Sequence, residues 1–154
     1  MLKKNFLITL FIFLTSCGYE AIHSKKNIID YDFSINELTF IGDRDVNLKI
    51  KEKLNNYTLD KKNKNFALTI SSVAKKEILA KSVNGNPTSF KSTIIINIQV
   101  LKDNNFRNEL KIEESFNYNN ISNKFNLKKY EREIRNNLAE AIIDKLIYKL
   151  SNIQ

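Results

Sequence analysis

The chain has 154 residues, 25 Lys and Arg against 17 Asp and Glu, and a single cysteine, histidine and proline. One cysteine rules out an internal disulfide, one cysteine with one histidine rules out a Cys/His metal cluster, and the length suits one domain with one core. The net charge of +8 fits an anionic partner such as lipid head groups or an acidic protein, and fits equally the Lys-, Asn- and Ile-rich usage of an A+T-rich genome. No basic-aromatic motif points to nucleic acid.

Lys3 and Lys4 precede an uncharged run from Phe6 to Leu14, and Thr15, Ser16, Cys17 and Gly18 are small. This is the order of a secretory signal peptide. Nine apolar residues span about 14 Å as a helix, about half a bilayer core, so a spanning helix is not expected. Leu14-Thr15-Ser16-Cys17 resembles a bacterial lipobox. Cleavage would then follow Ser16, with diacylglycerol on the Cys17 sulfur and an acyl chain on its new amine. The alternative is an ordinary signal peptide with a chance cysteine, but a free thiol at the cleavage site of an exported protein is open to oxidation. An anchor of about three acyl chains, at about 0.8 kcal/mol per buried methylene, does not release into water. Gly18 stands where enteric lipoproteins retained in the inner membrane carry Asp, which favours the outer membrane. Loss of residues 1–16, with Lys3 and Lys4, leaves 138 residues and a charge of about +6.

Residues 17–33 lack a steady period and read as the lipidated N-terminus and tether, followed by a single domain over 34–154. Ser34–Ile41 alternates partly and predicts a first strand, which Gly42-Asp43 ends. Asp43 or Asp45 caps a helix to about Asn56, in which Val46, Ile50 and Leu54 recur four apart. Asp60–Asn65 is turn-like. The period then becomes two: Phe66, Leu68, Ile70, Ser72 and Ala74 share a face in a strand running to Val83, long enough to predict a bulge at Lys75-Lys76. Asn84-Gly85 predicts a hairpin. Thr88–Leu101 is the clearest strand, with Phe90, Ile94, Ile96, Ile98 and Val100 on one face, and Asp103–Asn105 turns it into a third long strand through Leu110, Ile112, Phe116 and Tyr118. Ser122, Asn123 or Asn126 then caps a helix of about 23 residues, with a stripe through Leu127, Tyr130, Ile134, Leu138, Ala141, Ile142, Leu146 and Leu150. The fold class is α+β, a two-layer sandwich with two helices on one face of a mainly antiparallel sheet of about four strands. The other face stays polar or meets a partner.

Catalytic chemistry finds little support. His23 falls in the tether, far from any rigid frame that could orient it as a base. There is no Gly-rich phosphate loop and no Gly-x-Ser-x-Gly elbow. Glu113 and Glu114 point to opposite faces of a strand and read as lysine-paired or solvated rather than as a carboxylate pair. A scaffold or binding protein is expected, not an enzyme, with no cofactor or metal beyond the lipid on Cys17.

The order of parts resembles the LPS-assembly lipoproteins, the LptE family. Cys17-Gly18-Tyr19 looks like their Cys-Gly-aromatic start, with Glu20-Ala21-Ile22 where many members have Arg-Pro-Leu. Phe66–Ile70 and Ser92–Val100 resemble their paired strands, Glu113–Tyr118 the strand before the last helix, and Arg135–Ile142 that helix. The missing proline after Tyr19 is a departure. The resemblance implies an outer-membrane lipoprotein, on the periplasmic side, that plugs a large β-barrel partner (LptD-like), assists its assembly and helps insert lipopolysaccharide. It leaves room for direct binding of lipopolysaccharide as well. Lys75, Lys76, Lys81 and Lys91, flanking the predicted hairpin, are the candidate lipopolysaccharide contacts, against the plainer reading of solvated strand edges. Two other functions remain: an accessory lipoprotein of another outer-membrane assembly or secretion machine, and a periplasmic module for a lipid or small ligand.

Overall fold

The computed structural model describes residues 31–58, 62–102 and 106–153. The lipobox, Cys17, His23 and most of the tether lie outside the described residues, as does the turn expected at 103–105. The elements run β1 (Phe33–Gly42), α1 (Arg44–Leu54), a 3-10 turn (Asn55–Tyr57), β2 (Lys64–Lys81), β3 (Pro87–Lys102), β4 (Phe106–Asn119) and α2 (Lys124–Ser151). The strands form one sheet in the order β1-β2-β3-β4. Both helices cover one face, giving the two-layer α+β sandwich that the sequence predicts.

The alternating runs bury one side of each strand. Phe66, Leu68 and Ile70 of β2, and Ile94, Ile96, Ile98 and Val100 of β3, are buried against the helices. From α1 come Val46, Ile50 and Leu54, and from α2 Ile134, Leu138, Ile142, Leu146 and Leu150. Each such aliphatic side chain contributes about 1.5–3 kcal/mol by leaving water. Ala139 and Ile143 are buried beside this stripe. Tyr31 and Phe33, at the end of the expected tether, pack with Tyr57, the Phe33 and Tyr57 rings stacked 5.0 Å apart.

Three details refine the sequence reading or differ from it. First, the sheet is mainly antiparallel as expected, through β2–β3 and β3–β4, while β1 pairs parallel to β2, a direction the sequence leaves open. A parallel pair needs a crossover connection between its strands, and α1 lies within it. Second, pairing is regular through Lys75 and Lys76, and the register shifts fall later, between Ile78 and Ala80 and between Ala80 and Lys81. Lys76 has partners on the helix layer, and the irregularity lies at the end of the strand next to the turn. Residues 82–86 form that turn, closed by the Ser82 N–H donating to Asn86 O at 2.8 Å, with Gly85 at φ +79°. Third, α2 has 28 residues, not 23. Asn123, one of the expected caps, starts it, its side chain accepting from the N–H groups of Phe125 and Asn126, so the helix begins before the apolar stripe that opens at Leu127.

The junction from β1 to α1 sits directly on β2. Gly42 has φ +99°, and a Cβ there would meet Ser72 O at 2.0 Å. Asp43 N–H donates to that same oxygen at 3.1 Å, and the Asp43 carboxylate caps α1 by accepting from Val46 N–H at 3.0 Å. Asn47 Nδ2 donates to Ile41 O, and Ser72 Oγ donates to Asn47 Oδ1 at 2.7 Å. At the far end Lys64 Nζ donates to Ile153 O at 2.7 Å, tying the start of β2 to the end of α2.

Two glycine substitutions separate strain from collision. Gly85→Ala, with open space around it, should lose about 1–2 kcal/mol for its left-handed backbone. Gly42→Ala adds a clash with backbone and should lose more than about 4 kcal/mol. Urea titration of both variants checks this, and equal losses would refute the close approach.

Candidate functional site

The strands turn a second face away from the helices, and no described element covers it. Period two decides its composition. Rows run across it as Thr39–Thr69–Gln99–Glu109, then Ile41–Ser71–Asn97–Lys111, then Val73–Ile95–Glu113, then Lys75–Thr93–Ser115, then Glu77–Lys91–Asn117. A further row, Glu37–Ala67–Leu101–Arg107, lies beyond the first; hydroxyl and amide side chains are interspersed with as many charged ones, and Ile41, Val73 and Ile95 lie in adjacent rows near the middle. Such a face presents many short hydrogen-bonding groups and little apolar area, which suits a polar partner surface better than an oily one.

The four candidate lysines do not form one patch. Lys75 and Lys91 share the outer face, in adjacent rows, with Glu77 directly across from Lys91. Lys76 lies on the helix side, where its Nζ is 2.5 Å from Glu131 Oε1 and 4.0 Å from the centre of the Phe90 ring. Lys81 ends β2 and is exposed. Lys75, Lys81 and Lys91 therefore stay available to an anionic ligand, while Lys76 already has an anion. Glu113 and Glu114 do part to opposite faces: Glu113 is 3.6 Å from Lys111 and Glu114 pairs with Lys145 of α2.

Glu131 gathers the best-connected polar cluster. Its Oε1 accepts from the hydroxyl of buried Tyr118 at 3.0 Å as well as from Lys76. Burial, then the hydrogen bond to Glu131 and its negative charge, raise the Tyr118 phenol above the ordinary tyrosine value, while Arg135 opposes them. Phe90 and Tyr130 pack on the Tyr118 ring. Asp43, Lys75, Ser92 and Arg135 complete a cleft of about 180 Å³ here. Sequence reasoning missed this cluster. The available signal was Lys76, Tyr118 and Glu131 falling on the helix-facing side by period, but the long-range meeting is invisible without the sheet register. A second groove, of about 350 Å³, runs between α1 and α2 over Val46, Leu48 and Ala139, with Lys49, Glu52 and Arg132 on its rim.

Among the described residues no cluster of His, Cys, Asp and Glu could hold a metal ion, and no helix is long and apolar enough to cross a membrane.

Solved structures share this fold. Rare lipoprotein B from Shewanella oneidensis matches 76% of this chain and 98% of its own, with TM-score 0.55 and 16% identity. The minor lipoprotein from Acinetobacter baumannii matches 79% and 91%, with TM-score 0.56 and 11% identity. Uncharacterized lipoprotein B from Nitrosomonas europaea matches 79% and 86%, with TM-score 0.53 and 12% identity. At these identities the likeness establishes a common fold. No family model and no curated protein sequence matches the chain.

The Tyr118–Glu131 bond has a pH signature. Because the folded phenol holds its proton more tightly than an unfolded tyrosine, its stabilisation is complete below about pH 10 and fades as pH rises through the raised folded value. Tyr118→Phe should cost about 1–3 kcal/mol at pH 8, and its deficit relative to the parent should shrink in denaturation measured above pH 10. A deficit independent of pH would refute the assignment.

Proposed function

We propose that this chain is a lipid-anchored outer-membrane accessory protein of the LptE type, which plugs a large β-barrel of the lipopolysaccharide translocon and assists its assembly. The observation that carries the reading is the fold itself: two helices back one face of a four-stranded sheet, the other face lies open, and lipoproteins of three bacteria share the arrangement. The lipobox at Leu14–Cys17 supplies the anchor, which places the domain on the periplasmic side of the membrane. The outer face then meets the barrel wall, and Lys75, Lys81 and Lys91 meet lipid A phosphates. The protein acts by binding and carries out no reaction of its own. No cofactor is needed for that role.

The groove between α1 and α2 favours a second reading, a periplasmic module that holds a small or lipidic ligand over Val46, Leu48 and Ala139. The two readings differ in what stays bound on purification.

Purification of the full-length protein from its own membranes in mild detergent, followed by mass spectrometry, is the direct test. The plug reading expects a diacylglyceryl, acylated Cys17 as the mature N-terminus and one large β-barrel protein in equal amount. Cys17→Ala should leave the protein unlipidated and reduce recovery of the barrel complex. A lipidated protein that purifies alone, or with another machine, discards the translocon assignment. For direct lipopolysaccharide contact, the triple variant Lys75→Glu, Lys81→Glu, Lys91→Glu should weaken binding to immobilised lipopolysaccharide at least about tenfold, with Lys76 left in its pair with Glu131. Unchanged binding would clear those lysines of the role.

A further inference from the structure

Among the described residues β4 is an edge strand: it pairs with β3 on one side and with no other strand. An exposed edge is a template for another strand, and charges usually guard it. On the outer face of β4 those charges are Arg107, Glu109, Lys111 and Glu113 at successive outward positions, in the order plus, minus, plus, minus. Among the described residues their ion pairs are exposed contacts along the strand, Arg107 to Glu109 at 3.3 Å and Lys111 to Glu113 at 3.6 Å.

Read backwards, that order is minus, plus, minus, plus. We propose that β4 recognises a second copy of this chain, pairing antiparallel about a twofold axis through Leu110 and joining two four-stranded sheets into one. Arg107 then stands opposite Glu113 of the second copy and Glu109 opposite its Lys111, and the twofold repeats both pairs. On the helix side Leu110, which is partly buried, meets its own symmetry mate, and Asn108 meets Ile112.

The charges also choose the register. Centring the axis on Lys111 sets Lys111 against itself and Glu109 against Glu113. Centring it on Glu109 sets Glu109 against itself and Arg107 against Lys111. Directly opposed like charges destabilise a strand pair about as much as unlike charges stabilise it, so both neighbouring registers that keep the faces aligned are disfavoured. A strand lacking this pattern would leave the four charges without matching partners, so the edge discriminates against other strands while accepting its own sequence. The opposite edge offers nothing comparable: β1 is shorter, has a register shift between Ile35 and Glu37, and presents Glu37, Thr39 and Ile41 outward. The axis stands perpendicular to the sheet, so both helix layers lie on the same side and both outer faces remain open. This inference does not depend on the translocon reading.

The test uses the full-length chain in detergent with Cys17→Ala, so that an introduced cysteine is the sole thiol. Directly opposed residues of an antiparallel pair bring their Cα atoms to about 4.5–5.5 Å, within disulfide reach. Leu110→Cys should therefore cross-link to a covalent dimer on mild oxidation. Asn108→Cys, displaced about 13 Å from its mate along the strands, should not. A second arm reads sedimentation equilibrium without touching Leu110. Lys111→Glu should weaken dimerisation at least about tenfold, and Glu109→Lys with Lys111→Glu, which restores opposite charges at every pair, should recover it. A chain that stays monomeric, equal cross-linking at 108 and 110, or a double variant as weak as the single one would each overturn the proposal.

Discussion

Everything in this fold passes through the contact between Gly42 and Ser72. There the chain leaves β1 with a left-handed residue pressed on the backbone of β2, at a distance no side chain could occupy. Asp43 takes the same carbonyl by its N–H and starts α1 with its carboxylate. One short stretch thus fixes three things: where β1 ends, how deep β1 lies against β2, and the direction in which α1 leaves. Asn47 and Ser72 close the junction from the helix side with buried hydrogen bonds, so polar groups that would otherwise be costly to bury are satisfied. Parallel pairing of β1 follows, because α1 must travel back over the sheet before β2 can begin.

Charge is sorted by this frame more than by sequence. The pair between Lys76 and Glu131 joins a buried phenol and an aromatic face, so it orders α2 against the strands. The exposed pairs, Lys49 with Glu52 and Arg107 with Glu109, contribute little to stability by comparison. Lys64 works differently again. Its ammonium meets carbonyls at the C-terminal end of α2, where the helix dipole is negative. The two ends of the helix layer are therefore held by different means, the hairpin end by the Glu131 cluster and the tether end by Lys64 and the stacked rings of Phe33 and Tyr57.

The sequence was most readable where one period governs one face. Phe66 through Ser72, and Phe90 through Val100, alternate because each strand has a helix layer on one side only, and α1 shows its four-residue steps for the same reason. What it concealed were relations between segments. Nothing in Ser34–Ile41 says whether its neighbour runs parallel, since Ile35, Leu38 and Phe40 would face the core either way. Strand length alone suggests a bulge at Lys75-Lys76, whereas both pair regularly with β3, Lys76 meets Glu131, and the irregularity falls at Ile78–Lys81. Nearness to the turn is all that groups the candidate lysines in the sequence. Alternation already separates Lys75 and Lys91 from Lys76, but the anion that occupies Lys76 comes from 55 residues away. The lipobox-like pattern of Leu14–Gly18, by contrast, is purely local, so the expectation of lipidation at Cys17 rests on no fold at all.

The outer face poses a physical question that its composition answers in part. The face mixes β-branched residues, Thr39, Thr69, Thr93, Ile41, Val73 and Ile95, with charges such as Lys75, Glu77, Lys91 and Glu109, and a face buried in a core would carry no Gln99 or Asn97. Intermediate polarity with short side chains is what a close partner of similar polarity demands, because each hydroxyl or amide needs an acceptor or donor within reach once water is displaced. The interior of a large outer-membrane barrel is such a surface, polar and built of alternating inward side chains. Under the proposed function the helices need not touch that wall at all. They serve to hold a long, twisted sheet rigid enough that its open face keeps one shape, and the hydrogen bonds across the interface can then form without further ordering of the chain.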